Sequence, residues 1–290
     1  MISSPICLFA AWCPDGFLPD HLTHYLSELK SCGFDIILAL SGASSPVAQT
    51  EQFCRKNDIR LCPRPNAGMD FGAWSDLLRQ GIPEDAPRVL LANDSVIGPL
   101  SPLEPLIRHM DRQDADIWGM AGSALLRPHL QSWFLSFRRD ALERPAIRRV
   151  FTQNFATMTR EEIIWHGELG LATAARVEGL KCIAAWNPSR LADRLMPVNP
   201  MHLQWEHLLR TRHTPFLKAE LLRDNPLRLR HLERWKDFCA ESGLDPERIT
   251  QWLQRNARPA VRSPSLPFRT LLPLVARLQR IGERRRSPPV

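Results

Sequence analysis

The chain has 290 residues, of which 44% are hydrophobic and 24% charged, a composition that excludes a wholly disordered or fibrous protein. Its length suits one large domain, or one domain with a C-terminal extension. Residues 261–290 hold seven arginines and one acid, so nearly all of the net charge of +7 lies there. We therefore expect no nucleic-acid-binding face on the body, and a tail that contacts an anionic partner.

The first 120 residues alternate short apolar runs with amphipathic segments. The apolar runs predict buried strands over 5–11, 35–40, 59–62, 88–92 and from 116. The segments between them predict helices over 19–32, 46–56, 71–80 and 102–110. Buried strands that alternate with helices indicate an α/β fold with a mostly parallel sheet covered on both faces.

The second half of the chain predicts a less regular pattern. We expect a strand over 131–137, helical structure over 141–155 and an edge strand over 181–185. Thr159 and Glu162 have the spacing of a capping box, which predicts a helix to about residue 178 with Gly167 as a break. Prolines multiply after residue 187, and a last helix is predicted over 246–255.

We therefore divide the chain into three parts. Residues 1–187 form the expected α/β domain, and residues 188–255 form a helical annex packed on it. Residues 256–290 form a proline-rich linker and a basic amphipathic tail. Over 268–286 the tail predicts either a peripheral contact with an anionic membrane or a helix docked on the domain or on a partner.

Seven cysteines without a C-x-x-C motif indicate reduced thiols in a cytoplasmic protein. The apolar run near the N-terminus is short and lacks a basic flank, so we expect a strand there and no signal peptide. No stretch reaches the roughly 20 apolar residues that span a bilayer. The expected location is cytoplasmic, with peripheral contact at the inner membrane through the tail.

Several common catalytic motifs are absent. The turn after the first strand lacks G-x-G-x-x-G, no lysine follows a glycine as in a Walker A loop, and G-x-S-x-G is missing. These absences argue against a dinucleotide-binding Rossmann site, a P-loop and an α/β-hydrolase. Two pairs of histidines, His21 with His24 and His202 with His207, have no third ligand nearby in the sequence, which argues against a zinc site.

Two polar loops follow predicted strands, where the ligands of open α/β sheets bind. The first, over 66–74, contains Asn66, Gly68 and Asp70, and the second is the triplet Asn93, Asp94 and Ser95. Each has a simpler explanation. Asp70 could cap the helix that follows it, and the triplet could form an Asx turn.

Long motifs in these regions give a specific resemblance. The pattern N-x-G-x-D-F-G-A-W is followed by LLANDSVIGPLSPLE, DIWGM and HLQSWFLSFRR, and later by NPMHLQWEHLL and TPFLKAELLRDNP. Together they resemble the rhamnan synthesis protein F family of bacterial glycosyltransferases, over roughly residues 5–226. The resemblance implies a GT-A-like, nucleotide-sugar-binding α/β sandwich and dTDP-L-rhamnose as the donor.

The resemblance also implies a donor shelf. A D-x-D pair usually holds a divalent cation there, and the triplet that begins at Asn93 occupies its place. With only one carboxylate, Asp94, the use of Mg²⁺ or Mn²⁺ stays open. The residues implied for donor binding are Trp12, Asn66, Gly68, Asp70, Asn93 and Ser95.

An inverting transferase also needs a general base beside the acceptor hydroxyl. The segment 165–169 is similar to the motif that supplies this base in related enzymes, which makes Glu168 the candidate base. His166 is the alternative base. Glu168 could instead be a solvated carboxylate on a helix, with no part in catalysis. The residues expected on the acceptor side are Trp118, His129, Gln131, Ser132, Trp133 and Lys218. The two tryptophans could instead be core, and Lys218 could either offset diphosphate charge or form a surface salt bridge.

The sequence thus predicts an inverting rhamnosyltransferase that acts on a cell-surface polysaccharide or a lipid-linked glycan. Two alternatives stay open at this point. One is a catalytically silent sugar-binding or scaffold member of a polysaccharide-assembly complex, and the other is a transferase of a different sugar.

Overall fold

The computed structural model describes residues 4–82, 85–188, 198–256 and 266–280. The strands are β1 Ile6–Cys13, β2 Asp35–Gly42, β3 Ile59–Arg64, β4 Arg88–Asn93, β5 Val96–Ile97, β6 Ile117–Ser123, β7 His129–Leu130, β8 Phe134–Arg138, β9 Cys182–Trp186 and β10 Leu217–Lys218. The helices of the first half are α1 Asp20–Ser31, α2 Ala48–Lys56, α3 Met69–Arg79, α4 Glu104–Asp111, α5 Arg139–Leu142 and α6 Pro145–Phe151.

The remaining helices are α7 Arg160–Ile163, α8 Leu169–Val177, α9 Pro200–Leu203, α10 Trp205–Arg210, α11 Ala219–Asp224, α12 Trp235–Glu241, α13 Pro246–Arg255 and α14 Leu266–Gln279. A π-helical turn, Ile164–Glu168, joins α7 to α8, and short 3₁₀ turns lie at Phe155–Thr157 and Leu232–Arg234. None of the helices in the described ranges is long and apolar enough to cross a bilayer.

The central sheet has the strand order β3-β2-β1-β4-β8-β6-β7, with β9 paired to β6. Strands β1 to β4 are mutually parallel, β8 runs antiparallel between β4 and β6, and β9 is parallel to β6. This arrangement confirms the predicted α/β class with a mostly parallel sheet. The carboxyl ends of β1 and β4 therefore lie side by side at one edge.

The parallel strands are continuous apolar runs because both faces of the sheet are covered. In β1, Cys7 and Phe9 point into one core while Ile6 and Leu8 point into the other. Alternate residues of a strand face opposite sides, so a strand buried on both sides has no polar face. The structure confirms this prediction for β1, β2 and β4.

The middle of the chain departs from prediction in two places. The expected strand over 131–137 is β8 alone, because residues 131–133 form the turn that follows β7. The helical stretch expected over 141–155 is interrupted, since Pro145 begins the separate helix α6. The capping box at Thr159 and Glu162 is confirmed in both of its hydrogen bonds.

The annex builds onto the domain through its own small sheet. Strand β10 pairs antiparallel with β5, and the amide of Ala219 donates to the carbonyl of Ser95 at 3.0 Å. A third apolar cluster joins Ile97 to residues of the annex, including Trp205 and Trp235. The predicted helix over 246–255 is confirmed as α13.

Helix α14 docks on the annex. Leu272 and Val275 pack against Val198 and Leu227, and Gln204 Nε2 donates to the carbonyl of Ala276 at 2.7 Å. Helix α14 of the tail is therefore docked on the body of the protein, as one of the two predicted alternatives proposed. Residues 257–265 and 281–290, which include most of the expected linker, lie outside the described residues.

Gly68 allows a prediction about stability. It precedes α3 with φ of 71°, and a Cβ there would lie 2.7 Å from Phe155 Cβ, whereas Gly179 has φ of 67° with nothing within 4 Å. Gly179→Ala should cost about 1–2 kcal/mol for the left-handed backbone, and Gly68→Ala should cost about 1–3 kcal/mol more. Urea unfolding of both variants measures the difference, and equal losses would contradict it.

Candidate functional site

A cleft of about 630 Å³ opens at the carboxyl ends of β1 and β4. Loops after four strands line it, and the annex forms another wall. The predicted site residues that line it are Trp12, Asn66, Asp70, Asn93, Asp94, Ser95, His129, Gln131, Ser132, Trp133, Glu168 and Lys218. Residues of both predicted groups, donor side and acceptor side, therefore share one cavity.

Asn93 organises the donor side of the cleft. Its Nδ2 donates to Asp70 Oδ2 at 2.6 Å, while its Oδ1 accepts from the Ser95 amide at 3.1 Å and the Ser95 hydroxyl at 2.7 Å. The hydrogen bond from the Ser95 amide to the Asn93 side chain forms the predicted Asx turn. This turn lines the cleft. Asp94 Oδ2 accepts from the Trp12 amide at 2.7 Å, which joins the end of β4 to the end of β1.

Asp70 lies in the first turn of α3 and does not cap it, because the N-cap position belongs to Gly68. Its Oδ1 accepts from the Phe71 amide at 3.0 Å. Burial raises the pKa of Asp70, although the hydrogen bonds from Phe71 and Asn93 oppose this shift. Asp70 thus lies in the cleft at the positive end of a helix, where a negative charge is favourable.

Glu168 lies at the end of the π-helical turn, among the residues predicted for the acceptor side. Its Oε2 accepts from the Ser132 amide at 2.6 Å and the Ser132 hydroxyl at 2.7 Å, and its Oε1 lies 3.3 Å from His129 Nε2. Burial acts to raise the pKa of Glu168, but the contacts with His129 and Ser132 outweigh it and hold that pKa below its ordinary value. Glu168 is therefore a fixed carboxylate at neutral pH.

Lys218 lies between the two sides. Its Nζ is 3.5 Å from Ser95 Oγ and 5.2 Å from the centroid of the Trp133 ring. Burial lowers the pKa of Lys218 to about 8. The sequence placed this lysine on the acceptor side, but the contact with Ser95 brings its ammonium group to the donor shelf.

Three of the predicted site residues do not line the cleft. Trp118 is 0% exposed and donates from Nε1 to Asp111 Oδ1, so it is a core residue that cannot stack on a sugar. His166 is exposed on the π-helical turn and is not among the residues that line the cleft, so its role as the alternative base stays a prediction. Gly68 lies at the start of α3, packed against Phe155.

The structure also brings in residues that the motifs did not indicate. Arg160 and Glu220 line the cleft and lie 3.8 Å apart, one from α7 and one from α11. Trp165 is 51% exposed beside the cleft residue Ile164, and the Arg127 guanidinium lies 4.6 Å from its ring centroid. Trp165 lies on the π-helical turn, which the motifs did not indicate, and Arg160 and Glu220 meet only because two separate helices come together.

The triplet of Asn93, Asp94 and Ser95 is by itself a poor site for a divalent cation. Hard cations need several oxygen ligands, preferably carboxylates, and the triplet supplies one, from Asp94. Asn93 Oδ1 already accepts two hydrogen bonds, and the ammonium of Lys218 lies against the same triplet. Within the described ranges, no group of three or more His, Cys, Asp or Glu side chains is placed to hold a metal.

The strand order and a polar cleft at the carboxyl ends of β1 and β4 define an α/β protein with an open, mostly parallel sheet and a candidate ligand site at its strand ends. The family model of rhamnan synthesis protein F matches residues 43–237, well over half of the chain. The chain belongs to this family and is a glycosyltransferase. The resemblance seen in its motifs is thereby confirmed.

Comparisons with individual proteins give more distant matches. The chain is 24% identical over 253 residues to "Virulence protein VirA" of Vibrio anguillarum (strain ATCC 68554 / 775), covering 76% of this chain and 80% of that protein. Glucosyl-3-phosphoglycerate synthase of Mycobacterium tuberculosis, solved with UDP, matches with a TM-score of 0.35 and 12% identity, over 62% of this chain and 70% of that one. TarS 1-349 of S. aureus matches with a TM-score of 0.35 and 10% identity, over 95% and 88%.

Proposed function

We propose that this glycosyltransferase moves L-rhamnose from dTDP-L-rhamnose to a hydroxyl of a cell-surface polysaccharide or lipid-linked glycan, with inversion. The observation that carries the proposal is that Glu168 and the Asn93–Asp70 pair line the same cleft. One carboxylate is thus available to an acceptor hydroxyl, while an ordered polar shelf is available to the donor. The family to which the chain belongs supports rhamnose as the sugar.

The proposed reaction is a single displacement. The acceptor oxygen bonds to C1 of the sugar as the bond from C1 to the diphosphate oxygen breaks. The electron pair of that bond leaves with the nucleoside diphosphate, and the acceptor proton passes to Glu168. A general base within hydrogen-bond reach contributes about 10²–10⁴-fold to such a step.

The surroundings of Glu168 suit this role. Ser132 fills both lone pairs of Oε2, which leaves Oε1, beside His129, to receive the acceptor proton. His129 Nδ1 lies 2.7 Å from the Arg127 carbonyl, so the ring is held at both nitrogens. The low pKa keeps Glu168 ionised and ready to accept a proton, at the cost of some basicity.

The donor is tested by binding and turnover. The purified chain is mixed with dTDP-L-rhamnose and with UDP- and GDP-sugars, and binding and release of nucleoside diphosphate are measured. We expect the tightest binding and the fastest release with dTDP-L-rhamnose. Faster turnover of another donor would replace rhamnose with that sugar, and binding without any turnover on a glycan acceptor would favour the silent sugar-binding alternative.

The base is tested with Glu168→Gln, which keeps size and removes basicity. We expect the transfer rate to fall by about 10²–10⁴-fold, with donor affinity nearly unchanged because the donor shelf lies on the other side of the cleft. Glu161→Gln, an exposed change on the preceding turn, is the matched control. Near-normal turnover of Glu168→Gln would contradict the assignment.

The tail supports a second part of the proposal, peripheral contact with an anionic membrane by a cytoplasmic protein. The seven cysteines are free thiols, as expected in a reducing compartment. Helix α14 uses Leu272 and Val275 for docking, yet Leu271 and Leu274 are 47% and 55% exposed, and Arg277 is exposed near them. This combination of exposed leucine and arginine suits an anionic lipid surface.

Vesicle sedimentation tests this contact. The double change Leu271→Ser and Leu274→Ser should weaken binding to anionic vesicles about tenfold or more, because each leucine loses its burial in lipid. Val177→Ser, at a valine on the body that is 69% exposed, should leave binding unchanged. Full binding by the double variant, or none by the unaltered chain, would contradict the membrane contact.

A further inference from the structure

The charges that line the cleft present a difficulty for a diphosphate. Four carboxylates line the cleft, from Asp70, Asp94, Glu168 and Glu220, against three cationic side chains, from Arg160, Lys218 and Arg223. A nucleoside diphosphate would add further negative charge to this cavity. Its binding therefore requires at least one cation that is not already neutralised.

The two arginines already have partners. Arg223 forms two hydrogen bonds with Asp224, at 3.1 and 3.0 Å, and both side chains are largely buried. Arg160 Nη2 lies 3.8 Å from Glu220 Oε1. Each guanidinium thus has a carboxylate beside it that would compete with a phosphate.

Lys218 differs from these arginines. Among the residues that the structure describes, no carboxylate lies within 4.0 Å of its Nζ, whose contacts are the Ser95 hydroxyl and the face of Trp133. Asp70, Glu168 and Glu220 act on it from a greater distance and favour its charge, whereas burial and Arg160 oppose it. An ammonium group with three donors in this position can receive the oxygens of an anion.

The position of Lys218 relative to the triplet is informative. A pair of carboxylates at the first and third positions could hold a cation, but here those positions are Asn93 and Ser95. Ser95 uses its hydroxyl to donate to Asn93 and lies next to the lysine ammonium. The positive charge at the end of β4 is thus the side chain of Lys218, which the annex strand β10 contributes.

We infer that Lys218 takes the place of a divalent cation in this enzyme and neutralises the diphosphate of the donor. The inference rests on the proposed nucleotide-sugar donor. As the bond from C1 to the diphosphate oxygen breaks, negative charge grows on the leaving diphosphate, and the Lys218 ammonium donates a hydrogen bond to it. Lys218 keeps its proton throughout, since the acceptor proton passes to Glu168.

The test measures binding of nucleotides without catalysis. Calorimetry gives the Kd of thymidine, dTMP and dTDP for the full chain, with EDTA and then with Mn²⁺. We expect EDTA to change the dTDP Kd less than about twofold. Lys218→Met, which keeps an unbranched side chain and removes the charge, should weaken dTDP binding about 10- to 100-fold, as expected for a lost charged hydrogen bond, and leave thymidine binding unchanged.

Two further variants make the result specific. Lys218→Arg keeps the charge and should retain most of the dTDP affinity, which separates loss of charge from loss of folding. Ser95→Asp places a carboxylate beside the ammonium and should weaken dTDP binding in EDTA. Lys236→Gln, at a surface lysine paired with Glu247, should change nothing.

The outcomes distinguish this inference from the proposed function. Loss of dTDP binding in EDTA with recovery in Mn²⁺, or normal dTDP binding by Lys218→Met, would overturn the role of Lys218 while leaving a nucleotide-sugar enzyme. If UDP or GDP binds more tightly than dTDP, the same series is run with that diphosphate. Failure of the unaltered chain to bind dTDP, UDP or GDP would overturn the proposed donor class, and the inference with it.

Discussion

A single amide side chain, that of Asn93, holds together the part of the cleft that we propose binds the donor. Its nitrogen donates to Asp70 and its oxygen accepts from both donors of Ser95. One residue thereby ties the end of β4 to the first turn of α3 and fixes the turn that follows the strand. A carboxylate in its place would put two negative charges against each other at Asp70, so the departure from D-x-D and the position of α3 are physically linked.

The acceptor side is organised in the same way, by hydrogen bonds to a buried charge. Ser132 gives Glu168 two donors, and His129 lies against its other oxygen. Burying a carboxylate is costly unless hydrogen bonds replace its water, and here the turn after β7 provides them. Gathering Asp70, Glu168 and Lys218 in one cavity lowers the free energy of unfolding, because charged groups lose water. The attraction between the lysine and the two carboxylates offsets part of this loss.

The annex is part of the cleft and more than a support for the domain. Strand β10 carries Lys218 to Ser95, and α11 contributes Glu220 opposite Arg160. Helix α13 adds Trp252 and Asn256 to the lining. A cleft assembled from the domain and the annex couples folding of the annex to the geometry of the donor shelf.

The sequence by itself determined seven of the ten strands in the described ranges, most helices and the class of protein. Doubly buried strands such as β1 and β4 are continuous apolar runs, and local rules such as the capping box at Thr159 need only neighbouring residues. The motifs also named twelve of the residues that line the cleft, because polar loops after parallel strands meet at one edge.

Tertiary structure decided which of those residues face the cleft. Trp118 and Trp133 are both buried core residues, 0% and 1% exposed, yet of the two only Trp133 borders the cleft, where Lys218 lies over its ring. The π-helical turn directs Glu168 inward and leaves His166 exposed, which spacing for a regular helix does not specify. The contact between Lys218 and Ser95 joins residues far apart in the chain, and no local pattern encodes it, since it depends on how β10 pairs with β5.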